Sequence, residues 1–412
     1  MKKGSFLIIL LLLFSVCLLA QSRNMDYYLD QALHNSPLLK DYQGQVQANL
    51  ADSQRIRAGY GPQVTGNSNN FYAPVIGGYG YDNAITNGAN ISAVVGVNQA
   101  LISRKNINTQ YETIRLQNQG LENTARITEQ DLKRTIIAQY ITAYGSWQQL
   151  TFSKETDTLL KKEEGLLKTL TERNVYRQTD YLTFLVTLKQ QELLVRQQAI
   201  QFRNDHAMLN YLSGIVDTAS VLLEEPPLAV QALPDVSHSV FFRKYLLDSL
   251  QLTNSRSLID FSYKPKINVF ADGGYTSSLA YLPYKNFGAS FGVNITVPIY
   301  DGHQRKLQYS KLTIAERTRT AYKDFYTSQY SQQIAQLQQQ LKGTEELIDD
   351  INQQIKYSEG LINVNVKLLE TGDAKIADLV IALNNYLTAR NLLIQNNVSR
   401  LQIINQINYW NR

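Results

Sequence analysis

The spacing of apolar residues changes period along this chain, and it does so twice. Phe287, Ala289, Phe291, Val293, Ile295, Val297 and Ile299 alternate with Gly288, Ser290, Gly292, Asn294, Thr296 and Pro298. A period of two puts the first set on one face of a strand and the second on the other. Ile91, Ala93, Val95 and Val97 repeat the pattern against Ser92, Gly96 and Asn98. Partner strands are expected near Gln63 to Tyr72, where the alternation is less clean, and from Ile267, Val269 and Ala271 onward. Between partners lie the tyrosine-rich stretches Gly77 to Tyr81 and Leu279 to Tyr284, which read as hairpin loops. After each hairpin the period lengthens. Leu341, Ile348, Ile355, Ile362 and Leu369 recur every seven residues, with Leu347, Ile351, Leu361 and Leu368 beside them, which is a coiled-coil seam.

Helices are therefore expected from about His303 to Glu370 and from Arg104 to Glu172, each about 100 Å long at 1.5 Å per residue. Each ends at a break, Glu172-Arg-Asn174 or Glu370-Thr-Gly372, and a return helix follows. Asn174 and Gly372 hold equivalent places and are the residue types that best tolerate the left-handed conformation that closes a helix.

The two halves correspond in order. Tyr60 to Val64 matches Tyr263 to Ile267, Ala100 to Ser103 matches Pro298 to Asp301, and Asp180-Tyr-Leu182 matches Asp378-Leu-Val380. Three matches in one order indicate a duplicated unit. The expected layout is a first repeat over 21–221, with strands at about 62–102 and helices at about 104–213. A linker over 222–239 holds Pro226, Pro227 and Pro234, and the second repeat over 240–412 has strands at about 265–300 and helices at about 303–410.

Composition narrows the function. The chain has 412 residues with 44% hydrophobic and 18% charged, too apolar for a disordered protein, and a net charge of +5 is too weak to imply nucleic acid. Its single cysteine excludes a disulfide scaffold or a CxxC pair. Lys2 and Lys3 precede an uncharged apolar run to Leu19, which reads as a secretory signal over 1–20 cleaved after Ala20. A retained anchor and lipidation of Cys17 are the alternatives. Removal leaves about +3 and no thiol. Beyond Gln21 no apolar run is long enough for a membrane helix, so insertion would be by strands.

Four strands cannot close a barrel, and an open edge in lipid leaves backbone groups without partners. If these strands lie in a membrane, the chain must oligomerise: two copies give eight strands with a filled interior, and three give twelve with room for a wet lumen. Ser290, Asn294 and Thr296 would then line water, and Phe291, Val293 and Ile295 would meet lipid. The other arrangement is a soluble sandwich carried on coiled coils.

At these residues the chain resembles the TolC-type outer-membrane efflux proteins (outer membrane factors) of Gram-negative bacteria. The resemblance spans essentially the whole mature chain. It rests on Ala32-Leu-His-Asn-Ser-Pro-Leu38, Leu209-Asn-Tyr-Leu-Ser-Gly214, Tyr263-Lys-Pro-Lys-Ile267, Val297-Pro-Ile-Tyr-Asp-Gly302 and Gly372 followed by Asp378-Leu379. It implies an α+β membrane protein in which long antiparallel coiled-coil helices and four strands per chain trimerise into a 12-stranded outer-membrane barrel and a helical periplasmic tunnel. It further implies a passive exit duct of an efflux or type I secretion system, docking through its periplasmic turns at Asn174 and Gly372 to an adaptor (membrane fusion protein) and an inner-membrane pump. No catalysis, metal or cofactor is implied. The family places acids at the tunnel aperture, where Asp378 and Asp180 match. The second acid of the ring is replaced by Ile381, and the arginine of the closing lock by Ala374 with Lys375 beside it. The residues alone leave a periplasmic coiled-coil adaptor or scaffold without a pore as the alternative.

Other candidate chemistry fails. Gly288-Ala-Ser-Phe-Gly292 spells a nucleophile elbow, which needs a strand, a turn and a helix, yet it sits inside strand alternation. His34, His206, His238 and His303 have no metal-ligand spacing, and no phosphate-binding glycine loop occurs. Trp147 and Trp410 stand alone, and Tyr79, Tyr81, Tyr281 and Tyr284 suggest an interfacial or surface-loop girdle.

Overall fold

A computed structural model describes residues 23–80, 88–217, 221–232, 239–279, 282–373 and 375–411. The signal segment 1–20 with Cys17, and Tyr81, Pro234, His238, Tyr281 and Ala374, lie outside the described residues. In chain order the elements are α1 (Met25–Asn35), α2 (Pro37–Gly59), β1 (Gln63–Ala73), β2 (Gly88–Leu101), α3 (Arg104–Glu172), α4 (Gln178–Leu212), α5 (Val240–Ser262), β3 (Lys266–Ser277), β4 (Phe287–Thr296), α6 (Gln304–Thr371) and α7 (Ile376–Tyr409). The long helices and the four strands lie where the change of period predicts them. Three helices, α1, α2 and α5, have no counterpart in that reading.

The chain forms two compact units, and each takes pieces from both sequence halves. One comprises Met1–Lys40, Ala125–Phe241 and Tyr326–Arg412; the other comprises Asp41–Thr124 and Phe242–Phe325.

In the first unit the heptad seam of α6 is inside. Ile348, Ile355 and Leu369 are buried, and Ile351 packs with Ile355 and Ala389 of α7. Leu347, Leu361 and Leu368, on the adjoining heptad positions, are exposed. A second core joins α1, α3 and α4 through Tyr28, Ile136, Tyr140, Phe202 and Leu209. Two sequence pieces that carry the resemblance meet here. The Asn35 amide at the end of α1 donates to the carbonyls of Ser213 and Gly214, at 3.2 and 3.3 Å. Gly214 has φ +67, and a Cβ there would stand 2.9 Å from Asn35 Cβ, so this corner needs glycine twice over.

In the second unit the strands form one antiparallel sheet in the order β1-β2-β3-β4. The central pairing of β2 with β3 runs from Ile91 opposite Ser277 to Leu101 opposite Ile267 and so joins the two sequence halves. A tight turn follows β1: Gly77 and Gly78 have φ +59 and +87 between the mutually hydrogen-bonded Ile76 and Tyr79. Positive φ at both central residues is the turn that matches the twist of antiparallel strands.

The matched pieces Ala100 to Ser103 and Pro298 to Asp301 both deliver a strand into a helix by capping it. Ser103 Oγ accepts from the Asn106 N–H at 3.3 Å. Asp301 accepts from the N–H groups of His303 and Arg305 at 2.9 and 2.8 Å, and these bonds, that from Arg305 foremost, hold its carboxyl below the usual range.

Candidate functional site: helix turns and sheet faces

The two turns that reverse the long helices, both in the first unit, share one geometry. Asn174 has φ +61 and Gly372 has φ +83. At the first turn the N–H of Val175 reaches Leu170 O at 3.0 Å and that of Asn174 reaches Thr171 O at 2.9 Å. At the second, Asp373 reaches Leu368 O at 2.8 Å and Gly372 reaches Leu369 O at 3.2 Å. Each is a Schellman closure with the left-handed residue at the position the sequence marked.

The return helices start alike. Arg177 and Lys375 are the N-caps, neither capping by its side chain, and Asp180 and Asp378 each fall three residues later in the first turn. There the N-terminal dipole favours an acid. Asp378 is exposed and Asp180 half-exposed. Among the described residues neither acid, nor Lys375, forms a salt bridge.

Leu167, Phe184, Leu369 and Leu379, all fully buried, tie the two turns into one apolar plug. Polar contacts reinforce it: Tyr176 O–H donates to Leu369 O at 3.1 Å, and Tyr181 O–H donates to Glu164. Glu163 is buried on α3, which raises its carboxyl above the ordinary range, and Glu370 nearby adds to the rise. These tyrosines and Glu163 carry no sequence signature, because their roles depend on which helix faces pack together.

In the second unit, register assigns the faces of the sheet. Ser290, Asn294 and Thr296 of β4 stand opposite Asp272, Asn268 and Lys266 of β3. On the same face of β2 and β1 are Ser92, Gly96 and Asn98, then Asn69, Thr65 and Gln63. Apolar residues intrude, Phe71 of β1 and Ala100 of β2 among them. Val94 lies on this face, and so does Phe270, whose ring covers Gly292 so closely that a Cβ there would meet it at 2.7 Å. The other face pairs Ile295 with Ile267, Val293 with Val269 and Phe291 with Ala271, next to Val97 and Leu101. Phe291 is 90% exposed and Val293 and Ile295 are each 60% exposed, so among the described residues nothing covers the apolar face.

Among the described residues β1 and β4 each have a neighbour on one side only. Ser290 lies within β4 and donates to Asp272 at 2.6 Å, with no histidine at hand, so the nucleophile-elbow spelling has no elbow. Among the described residues no cluster of His, Cys, Asp and Glu is arranged to hold a metal, and no helix is long and apolar enough to cross a membrane.

No protein-family model matches the sequence, and no curated protein matches it by sequence. The fold, by contrast, is that of solved outer-membrane channels. CusC, a protein whose structures concern folding and transmembrane channel formation, superposes with a TM-score of 0.77 at 12% identity over 95% of this chain and 92% of that one. The outer membrane protein VceC from Vibrio cholerae gives 0.74 at 12% identity over 94% and 96%. The open state of the Neisseria gonorrhoeae MtrE outer membrane channel gives 0.74 at 12% over 94% and 88%. The α+β architecture implied by the resemblance to TolC-type proteins, four strands with long paired helices, is the architecture of this chain.

Proposed function

We propose that the chain is an outer-membrane exit duct: three copies close their sheets into a twelve-stranded barrel and their helices into a periplasmic passage, through which solutes leave without chemical change. The observation that carries this reading is the sheet. It exposes its apolar face and leaves both edges unpaired, and in lipid the unpaired backbone groups would cost several kcal/mol each unless another copy supplies the next strand. A soluble scaffold would gain nothing from an uncovered Phe291. Exposed heptad residues on α6, Leu347, Leu361 and Leu368, offer a second seam for helix contacts between copies.

The paired turns at Asn174 and Gly372 are the surface proposed to dock a periplasmic adaptor and, through it, an inner-membrane pump. Asp378, repeated three times around the aperture, is proposed to draw cations to it. The unpaired Lys375 supports an aperture held without the arginine lock, by the apolar plug behind the turns. Cargo selection then falls to the pump.

Conductance of the purified mature protein in planar bilayers tests the reading. Discrete cation-preferring steps are expected, with the preference reduced in Asp378→Asn. A protein that never inserts overturns it.

A further inference from the structure

A carboxylate that the aperture does not use stands in the middle of the polar face of the sheet. Asp272 of β3 is opposite Gly96 on one side and Ser290 on the other. Gly274 follows it on the same face of β3, and Gly288 lies diagonally across on β4. A Cβ at Gly288 would meet nothing within 4 Å, and one at Gly96 would meet only Asp272 and Thr65. Small residues thus stand beside the carboxylate at Gly96, Gly274 and Gly288, while Val94 and Phe270 of the same face flank it.

Its charge is uncompensated. The Ser290 hydroxyl donates to Oδ2 at 2.6 Å, and among the described residues no cation pairs with it. The cation of the same face, Lys266, is six residues along the strand, about 20 Å away at 3.3 Å per residue. Strand alternation alone does not expose this, since Asp272 sits beside the Gly273-Gly274 pair in the second half of β3, beyond the clean Ile267, Val269 and Ala271 pattern.

We propose that Asp272 is a cation-concentrating site inside the barrel, acting on hydrated monovalent cations and cationic solutes separately from Asp378. The inference rests on the exit-duct reading, which puts three copies of this face around water. Twelve strands about 4.8 Å apart and tilted by about 40° give a backbone radius of roughly 12 Å, which leaves each carboxylate about 9 Å from the axis. That is well inside the screening length of about 30 Å at 0.01 M salt and well outside the 3 Å at 1 M. Three such charges enrich a monovalent cation on the axis roughly fivefold in dilute salt and hardly at all in concentrated salt.

The test is the reversal potential of the full mature trimer in planar bilayers under a potassium chloride gradient. At about 0.01 M salt, Asp272→Asn is expected to lower the potassium-to-chloride permeability ratio by twofold to fivefold. The loss should add to that of Asp378→Asn, disappear near 1 M, and be absent in Asp272→Glu. Ser290→Lys, which sets a cation beside the carboxylate, should lower the ratio at least as far, so the inference does not hang on one variant folding. Channels whose low-salt selectivity is unmoved by both Asp272→Asn and Ser290→Lys overturn this inference and leave the duct reading standing. If no protein in the series forms channels, both fall.

Discussion

His206 is 1% exposed on α4, yet it is a titratable ring with a defined set of partners. Nε2 lies 3.1 Å from Tyr28 O–H, and the charged groups beside the ring are Arg23 and Asp217, themselves ion-paired at 3.0 Å. Burial, and after it the Arg23 charge, push the imidazole below its ordinary value, with Asp217 opposing. The folded chain thus binds fewer protons here than the unfolded one. The stability tied to a neutral ring is complete above about pH 6.5 and is lost as pH falls below it. Thermal melts between pH 7 and 5 should show a falling midpoint, and His206→Gln should flatten the slope while lowering the pH 7 value; an equal slope in both proteins would contradict this. Positive φ restricts residue type on its own, so Asn174 and Gly372 were legible in the sequence. The roles of His206, Tyr176 and Asp272 were not, because each is created by neighbours that only the folded chain assembles.

Among the elements, the long helices were readable because seven-residue spacing persists over many turns of α6, and α3 spans the Arg104 to Glu172 expected between the first hairpin and the break at Asn174. α2 escaped because none of its residues is buried, so it has no apolar face for a periodic pattern to mark. In α5 the run Leu252-Thr-Asn-Ser-Arg-Ser257 interrupts any such pattern. The matched Ser103 and Asp301 acquire a reason at this scale, since both satisfy N–H groups at the head of a helix. The turns yield a prediction from the same backbone logic. At Gly372 an added Cβ would touch Val175 only at an ordinary 3.5 Å, so the cost of Gly372→Ala is conformational, about 1–2 kcal/mol for holding φ +83. Asn174→Gly keeps the left-handed conformation and should be neutral within a few tenths of a kcal/mol. Denaturation followed by circular dichroism separates the two, and equal effects would mean that the closures do not hold the turns.

For the whole molecule, the apolar sheet face makes the sharpest demand. Phe291→Arg removes no packing within one chain, where the ring is 90% exposed, but sets a cation toward hydrocarbon at about 2–4 kcal/mol per copy near mid-bilayer. Helix content in detergent should match the parent while insertion into vesicles drops at least tenfold; unchanged insertion would mean that this face does not meet lipid. What the sequence could not convey at this scale is how the hairpins join, since nothing in either half names the strand it will meet. That join constrains how the protein comes into being. The residues paired across β2 and β3 are translated far apart, Leu101 long before Ile267, so the leading hairpin must wait, ribbon exposed, until most of the polypeptide has been exported. The nascent molecule is most vulnerable to sticky encounters in that interval, and a periplasmic holdase that shields the first hairpin would matter more to its yield than any aid given to the helices.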